Sequence, residues 1–290
     1  MDVKNGERVR FGPAGQSDAF NASGRRGAPE MIAWCAGMGL DAWEMAFGRG
    51  VYLKKESAPA VRAAAEENGV TLSAHAPYYV NLANPDPVKR LRSFAYLTDT
   101  AEALLPCGGR EIVVHAGSGM KQERREAIRL IREGLRETLS ILDGKGLGDA
   151  RLCPETMGRP GQIGDLEEIL DLCLTDERLI PCVDFAHLHA LSRGGVDSAE
   201  AFGRILDRTE EVLGIERARG MHMHFSAIEY SSGGERRHRT FDEGTYGPDY
   251  RQLMPLLAAR GYHGILICEC HGTQDRDALS MMENYRLYAE

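Results

Sequence analysis

The sequence predicts an α/β fold closed into a (β/α)8 TIM barrel, with residues 1–290 forming one domain. Three observations carry this expectation. Eight short apolar segments recur along the chain, segments of helical periodicity fill the intervals, and no low-complexity linker or composition shift divides the alternation. Strand and helix in alternation imply parallel pairing through crossover helices, and eight such units favour a closed barrel over an open sheet. A chain of 290 residues accommodates a barrel of roughly 250 with short extensions.

The expected strands are residues 9–12, 42–47, 71–76, 111–116, 151–156, 179–185, 220–226 and 264–270. Between them, 58–68, 90–105, 124–142, 166–174, 199–213 and 250–260 show helical spacing of apolar residues. Many joints into the next strand carry glycine, as at Gly69, Gly108, Gly109, Gly261 and Gly264, where a helix can end in the left-handed conformation. The run Gly158-Arg159-Pro160-Gly161-Gln162-Ile163-Gly164 lacks the order of a nucleotide-binding fingerprint and follows the fifth strand, so it reads as a loop over the barrel mouth. Residues 231–240 read as a long charged loop after strand seven.

Hydrophobic residues make up 43% and charged residues 27% of the chain, an ordinary globular balance. The net charge of −8 argues against coating nucleic acid through an overall field. It leaves room for a local site, because bound divalent cations can reverse the sign of a pocket. Seven cysteines, odd in number and without CxxC spacing, are expected to be buried thiols in a reducing cytosol. The start Met1-Asp2-Val3-Lys4-Asn5-Gly6 has no apolar leader, and no apolar run nears the roughly 18 residues of a membrane span. A cytoplasmic protein without membrane contact is expected, with its oligomeric state open.

The chemistry gathers at strand ends. His75, His115, Glu155, Asp184 and Glu269 end strands three, four, five, six and eight, and His222 and His224 lie on strand seven. In a barrel these ends converge on the face that carries active sites. A single histidine or glutamate at a strand end is more often a hydrogen-bonded or exposed residue than a ligand. For several together that account weakens, because apolar strands such as Ile112-Val113-Val114-His115 would bury unpaired polar groups at a cost of several kcal/mol. A divalent metal that takes the lone pairs removes the penalty, and imidazole with carboxylate suits zinc, manganese or iron better than calcium. Cys268 and Cys270 flank Glu269 and by alternation point into the helix layer. Asp184 and His187, three apart, can be directed to one centre by a turn leaving the strand, and His189 can orient a ligand. The charged loop sets Arg236, Arg237 and Arg239 beside His238, a composition suited either to phosphate contact or to plain solvation.

These residues fall in stretches that resemble the endonuclease IV branch of the xylose-isomerase-like barrels. The stretches are His75-Ala76-Pro77-Tyr78-Tyr79-Val80-Asn81-Leu82, Val114-His115-Ala116-Gly117-Ser118, Pro154-Glu155-Thr156-Met157-Gly158, Val183-Asp184-Phe185-Ala186-His187, Gly220-Met221-His222-Met223-His224, Asp242-Glu243-Gly244 and Ile267-Cys268-Glu269. They follow the family's order across residues 71–270. The resemblance implies two or three zinc-type ions and cleavage of double-stranded DNA 5′ to abasic sites. His75, His115 and Glu155 would hold one ion, Glu155 bridging to a second on Asp184, His222 or His224, and Glu269, with a third on His187 and His238. Glu155 would also orient the attacking water as the catalytic residue, while Tyr78 and Tyr79 match the side chains the family inserts at the lesion. One departure stands out: Arg236 occupies the position of a family aspartate, and adjacent Glu235 replaces it only if the loop shifts by one residue. Two other readings stay open: a divalent-metal sugar isomerase or epimerase acting on a small sugar or sugar phosphate, and a non-catalytic module that binds abasic DNA.

Overall fold

Successive side chains of a strand point to opposite faces, so one face of each expected strand can enter a helix layer while the other faces inward. In the computed structural model, which describes residues 8–289, these segments become β1 (Arg10–Pro13), β2 (Ala42–Ala46), β3 (Thr71–His75), β4 (Glu111–Val114), β5 (Arg151–Pro154), β6 (Cys182–Asp184) and β7 (His222–Phe225), followed by β8 (Ala227–Ser231), β9 (Gly234–Arg239) and β10 (Ile265–Cys268). The N-terminal segment read above for a leader lies outside the described residues.

Parallel pairing runs β2-β3-β4-β5 and β6-β7-β10-β1. Parallel bridges Ala14–Glu44 and Glu155–Cys182 join the two halves into a closed ring. At the β1–β2 seam the backbones come so close that a Cβ on Gly12 would sit 1.8 Å from the carbonyl oxygen of Ala42. Only glycine fits there. Around the ring, Trp43, Met45, Leu72, Ile112, Leu152 and Met223 pack outward into the large apolar cluster shared with the helices. Helix starts are marked in the sequence. Asp86 caps the helix Pro87–Leu104 ahead of its first proline, and Asp165 with Glu168 forms a capping box on Leu166–Cys173.

The barrel interior departs from the usual filling of branched aliphatic residues. A small apolar cluster of Ala42, Ile265 and Ile267, with Ala14 against it, is present. Beside it lie buried Glu44, Ser73, Glu155, Asp184, His222 and His224. The polar site therefore extends from the mouth into the middle of the barrel. All seven cysteines are buried free thiols, and Cys268 and Cys270 belong to the outer apolar cluster, as alternation predicts.

Residues 231–240 differ from the expected loop. Most of them build β9, which pairs antiparallel with β8. Polar composition suggested a loop, but a hairpin standing on the barrel mouth buries little of either strand and so needs no apolar alternation. Among the described residues, no helix is long and apolar enough to cross a membrane.

Candidate metal centre

The strands end just before the site residues, which leaves His115, Glu155 and Glu269 on the first turn beyond β4, β5 and β10. Glu155 is fully buried and both of its oxygens are engaged. Oε2 lies 3.3 Å from His75 Nε2 and 2.9 Å from His115 Nε2, while Oε1 lies 3.1 Å from His224 Nδ1. One carboxylate thus faces two groups of ligands. His75 donates from Nδ1 to the Ala76 carbonyl at 2.8 Å, which leaves Nε2 as the atom aimed at Glu155.

Two groups of side chains could each hold a cation: His75, His115 and Glu155 form the first, and Glu155, Asp184, His224 and Glu269 the second. Asp184 caps the short helix Phe185–Leu191, accepting the His187 N–H on Oδ1 at 2.8 Å. Its other oxygen, Oδ2, is buried without a hydrogen-bond partner. That oxygen lies 3.2 Å from His187 Nδ1, and a buried carboxylate oxygen without a hydrogen-bond donor, among imidazoles and carboxylates, is chemically suited to a divalent cation.

Register separates the two strand-seven histidines. His224 stands beside Asp184 and Ile267, whereas His222 stands beside Cys182 and Ile265. Two residues along a strand amount to about 6.6 Å. The structure therefore brings His224, and not His222, to Glu155 and Glu269. His222 instead donates from Nδ1 to Glu111 at 2.9 Å and from Nε2 to Glu44 at 3.0 Å, deep in the barrel.

The third group is His187, Glu235 and His238. His187 donates from Nδ1 to the Thr156 carbonyl at 2.9 Å, which turns Nε2 toward Glu235 Oε2 at 3.5 Å. A bulge supplies the one-residue shift that the sequence required. Glu229 pairs with Arg237 but the next residue, Tyr230, pairs with Glu235, so Arg236 is the extra residue. Bulging moves Glu235 onto the inward face with His238 and turns Arg236 outward, where its side chain is 63% exposed. Gly158 makes room, since a Cβ there would lie 2.7 Å from Glu235 Cβ and 3.1 Å from the His187 ring.

The carboxylates and imidazoles of the cluster shift one another's titration. Burial alone would lower the pKa of His75, yet Glu155 holds it up to about 9. His187 likewise reaches about 9, with Asp184 and Glu155 outweighing burial. Burial pushes the Asp184 carboxyl up, whereas Glu155, despite its own burial, is held well below the usual range by His115, His224 and His75.

Around this floor the mouth opens as a cavity of about 520 Å³ whose lining includes Tyr78, Arg159, Gln162 and Glu44. Tyr78 and Tyr79 stand on the rim, 48% and 53% exposed, with ring centroids 4.7 Å apart. The expected arginine cluster does not face the cavity. Arg236, Arg237 and Arg239 all turn to Glu229 on the neighbouring strand, Arg239 most closely. Arg159 is the arginine that lines the mouth, donating to the Glu235 carbonyl at 3.2 Å. His189 stands apart, donating to the Val196 carbonyl at 2.8 Å with its ring edge-on to Tyr230. Sequence reasoning passed over Arg159 and Glu44, although a glutamate inside Ala-Trp-Glu-Met-Ala is a legible anomaly.

A closed barrel whose strand ends gather three His/carboxylate groups on one face belongs to the class of barrels that build their sites there. The chain belongs to the xylose isomerase-like TIM barrel family, which matches residues 32–286. It is 35% identical to the uncharacterized protein MJ0133 of Methanocaldococcus jannaschii over 248 residues, 86% of this chain and 88% of that one. It is 29% identical to a protein named probable endonuclease 4 from Acholeplasma laidlawii over 192 residues, 63% of each chain, so that match spans less than two thirds of the relative's length. Among solved structures, endonuclease IV from Thermus thermophilus aligns with a TM-score of 0.69 at 22% identity, covering 96% of this chain and 98% of that one. D-psicose 3-epimerase from Clostridium cellulolyticum aligns with a TM-score of 0.66 at 18% identity, covering 92% and 95%. At such identities the likeness is one of fold. The named relatives and neighbours in this family are enzymes, and they include both endonucleases and epimerases.

Proposed function

We propose that this protein is a metal-dependent phosphodiesterase that cleaves DNA 5′ to abasic sites. The observation that carries this reading is the third ligand group, His187, Glu235 and His238, standing beside the two groups joined by Glu155. A sugar enzyme working through one ion needs only a single ligand set, whereas spreading charge over a phosphodiester and its leaving oxygen uses several cations. The donors suit zinc, manganese or iron: imidazole and carboxylate, with the Asp184 oxygen unsatisfied.

When bound, such ions lower the pKa of water and neutralise phosphate oxygens. The chain's own residues do the positioning. His75, His115 and Glu155 would hold one ion, Glu155, Asp184, His224 and Glu269 a second, and His187, Glu235 and His238 a third. Glu155, facing two groups at once, is placed to orient a water between them. Tyr78 and Tyr79 offer aromatic faces to an unstacked base step beside the lesion. Arg159, half exposed at the rim, offers a cation to an incoming phosphate.

A second reading has one observation behind it. Glu155, Asp184, His224 and Glu269 alone make a complete four-ligand set, and the cavity of about 520 Å³ admits a small sugar. Incubating the protein and several divalent metals with a duplex holding one abasic analogue, beside a panel of ketoses and sugar phosphates, separates the two. Metal-dependent nicking 5′ to the lesion is the expected result. Sugar turnover without nicking would replace the nuclease by the epimerase, and tight binding without either would leave a binding module.

A further inference from the structure

Strand β2 carries a carboxylate in the middle of the barrel. Glu44 is fully buried, and a buried carboxylate is strongly unfavourable unless charged partners and hydrogen bonds surround it. Its partners are few and specific: the Ser73 hydroxyl donates to Oε2 at 3.2 Å, His222 Nε2 lies at 3.0 Å and His224 Nε2 at 3.3 Å. His222 is held from below as well, since its Nδ1 donates to Glu111 at 2.9 Å. A chain of four side chains, Glu111, His222, Glu44 and His224, therefore climbs the barrel interior to the floor of the mouth, where Glu44 itself lines the cavity.

We propose that Glu44 is a positioning residue that accepts the Nε2–H of His224 and so aims Nδ1 at Glu155 and Glu269. The inference rests on the reading that Glu155, Asp184, His224 and Glu269 hold an ion. A histidine ligand presents one bare nitrogen to the metal and donates from the other, and the acceptor fixes the tautomer and the ring plane. Glu44 is the carboxylate within reach of His224 Nε2. His222, locked between Glu44 and Glu111, keeps that carboxylate from turning away.

The test uses wild type, Glu44→Gln and Glu44→Ala, each stripped and reloaded with zinc or cobalt(II). Ion stoichiometry, chelator competition and cobalt absorption are read, with thermal melting of the stripped proteins as the control for folding. Glu44→Gln is near-isosteric and keeps one acceptor oxygen. It is expected to melt close to wild type and to lose about 10- to 100-fold in affinity for one ion, with an altered cobalt spectrum. Glu44→Ala is expected to lose more at the same ion, while the ion on His75 and His115 keeps its affinity. Both variants holding every ion as wild type does would overturn the inference alone. Equal weakening of every ion would overturn it too, by making Glu44 a general structural residue. Wild-type protein that takes up no ion would overturn the reading of the centre, and this inference with it.

Discussion

Replacing Glu235 by alanine tests the least expected part of the centre. Glu235 is the carboxylate of the third group, 3.5 Å from His187 Nε2, and its removal leaves two imidazoles facing each other with ring centroids 5.4 Å apart. Removing a residue that merely orients a ligand costs about 10- to 100-fold in metal affinity. Losing a ligand should exceed that range, so at least ~100-fold weaker binding of one ion is expected, with the other two retained. The fold should hardly respond, because Glu235 sits on the mouth hairpin with a partly exposed side chain. Arg236→Asp is the matching control. Its side chain is turned outward by the bulge, so an aspartate there should leave stoichiometry unchanged even though the family resemblance puts the ligand at that position. Elemental analysis after gel filtration, with chelator competition, reads both variants. A gain of metal in Arg236→Asp with no loss in Glu235→Ala would refute the bulged register.

Other outcomes follow from the same geometry. His224→Ala should lose an ion while His222→Ala retains the full count at weaker affinity, and stoichiometry of the two variants checks this. If Arg159 meets a phosphate, Arg159→Ala should reduce the salt slope of duplex binding by about 0.9, whereas Arg236→Ala with Arg237→Ala should change it less, because both lean on Glu229; equal effects would return the phosphate contact to the hairpin. In the metal-free protein the neighbouring carboxylates push His75 and His187 up to about 9, above an unfolded value of about 6.5. Their protonation stabilises the fold fully below about pH 6.5, and this is lost as pH rises through about 9, at most roughly 3 kcal/mol for each. Urea midpoints of stripped protein should therefore fall from pH 7 to 9.5, while metal uptake releases protons and tightens over the same range; a flat midpoint would contradict the charge assignment. Gly12→Ala would force a methyl to within 1.8 Å of a backbone oxygen and should cost at least about 3 kcal/mol, read by chemical denaturation.

The barrel was legible because its signal is periodic. Each strand is a short, largely apolar run, and the eight runs survive in the structure, seven ending one or two residues earlier than expected and the first one residue later. The convergence of candidate ligands was legible for the same reason, since His75, His115, Glu155, Asp184 and Glu269 needed only strand position to come together. What escaped depended on pairing. The choice between His222 and His224 is a question of depth along one face, which parity cannot answer and register with β6 and β10 does. Glu235 and Arg236 exchange faces through a bulge whose position is set by contact with Gly158, far away in sequence. Phosphate contact stayed open for the arginines beside His238, but alternation on a hairpin, and the pull of Glu229, turn Arg237 and Arg239 away from the mouth. Glu44 went unremarked among the apolar residues of β2, where a lone carboxylate marks a barrel interior that is not simply core.

In the proposed function, Glu155 joins separate ligand groups into a centre that cuts a phosphodiester. Metal stoichiometry measured on the same preparations of wild type and Glu155→Gln as nicking of an abasic duplex tests it most directly. Wild type is expected to hold two or three ions, and Glu155→Gln to lose more than one of them and nicking with them. A wild type holding a single ion, or a Glu155→Gln variant that keeps its ions and its cleavage, would contradict it.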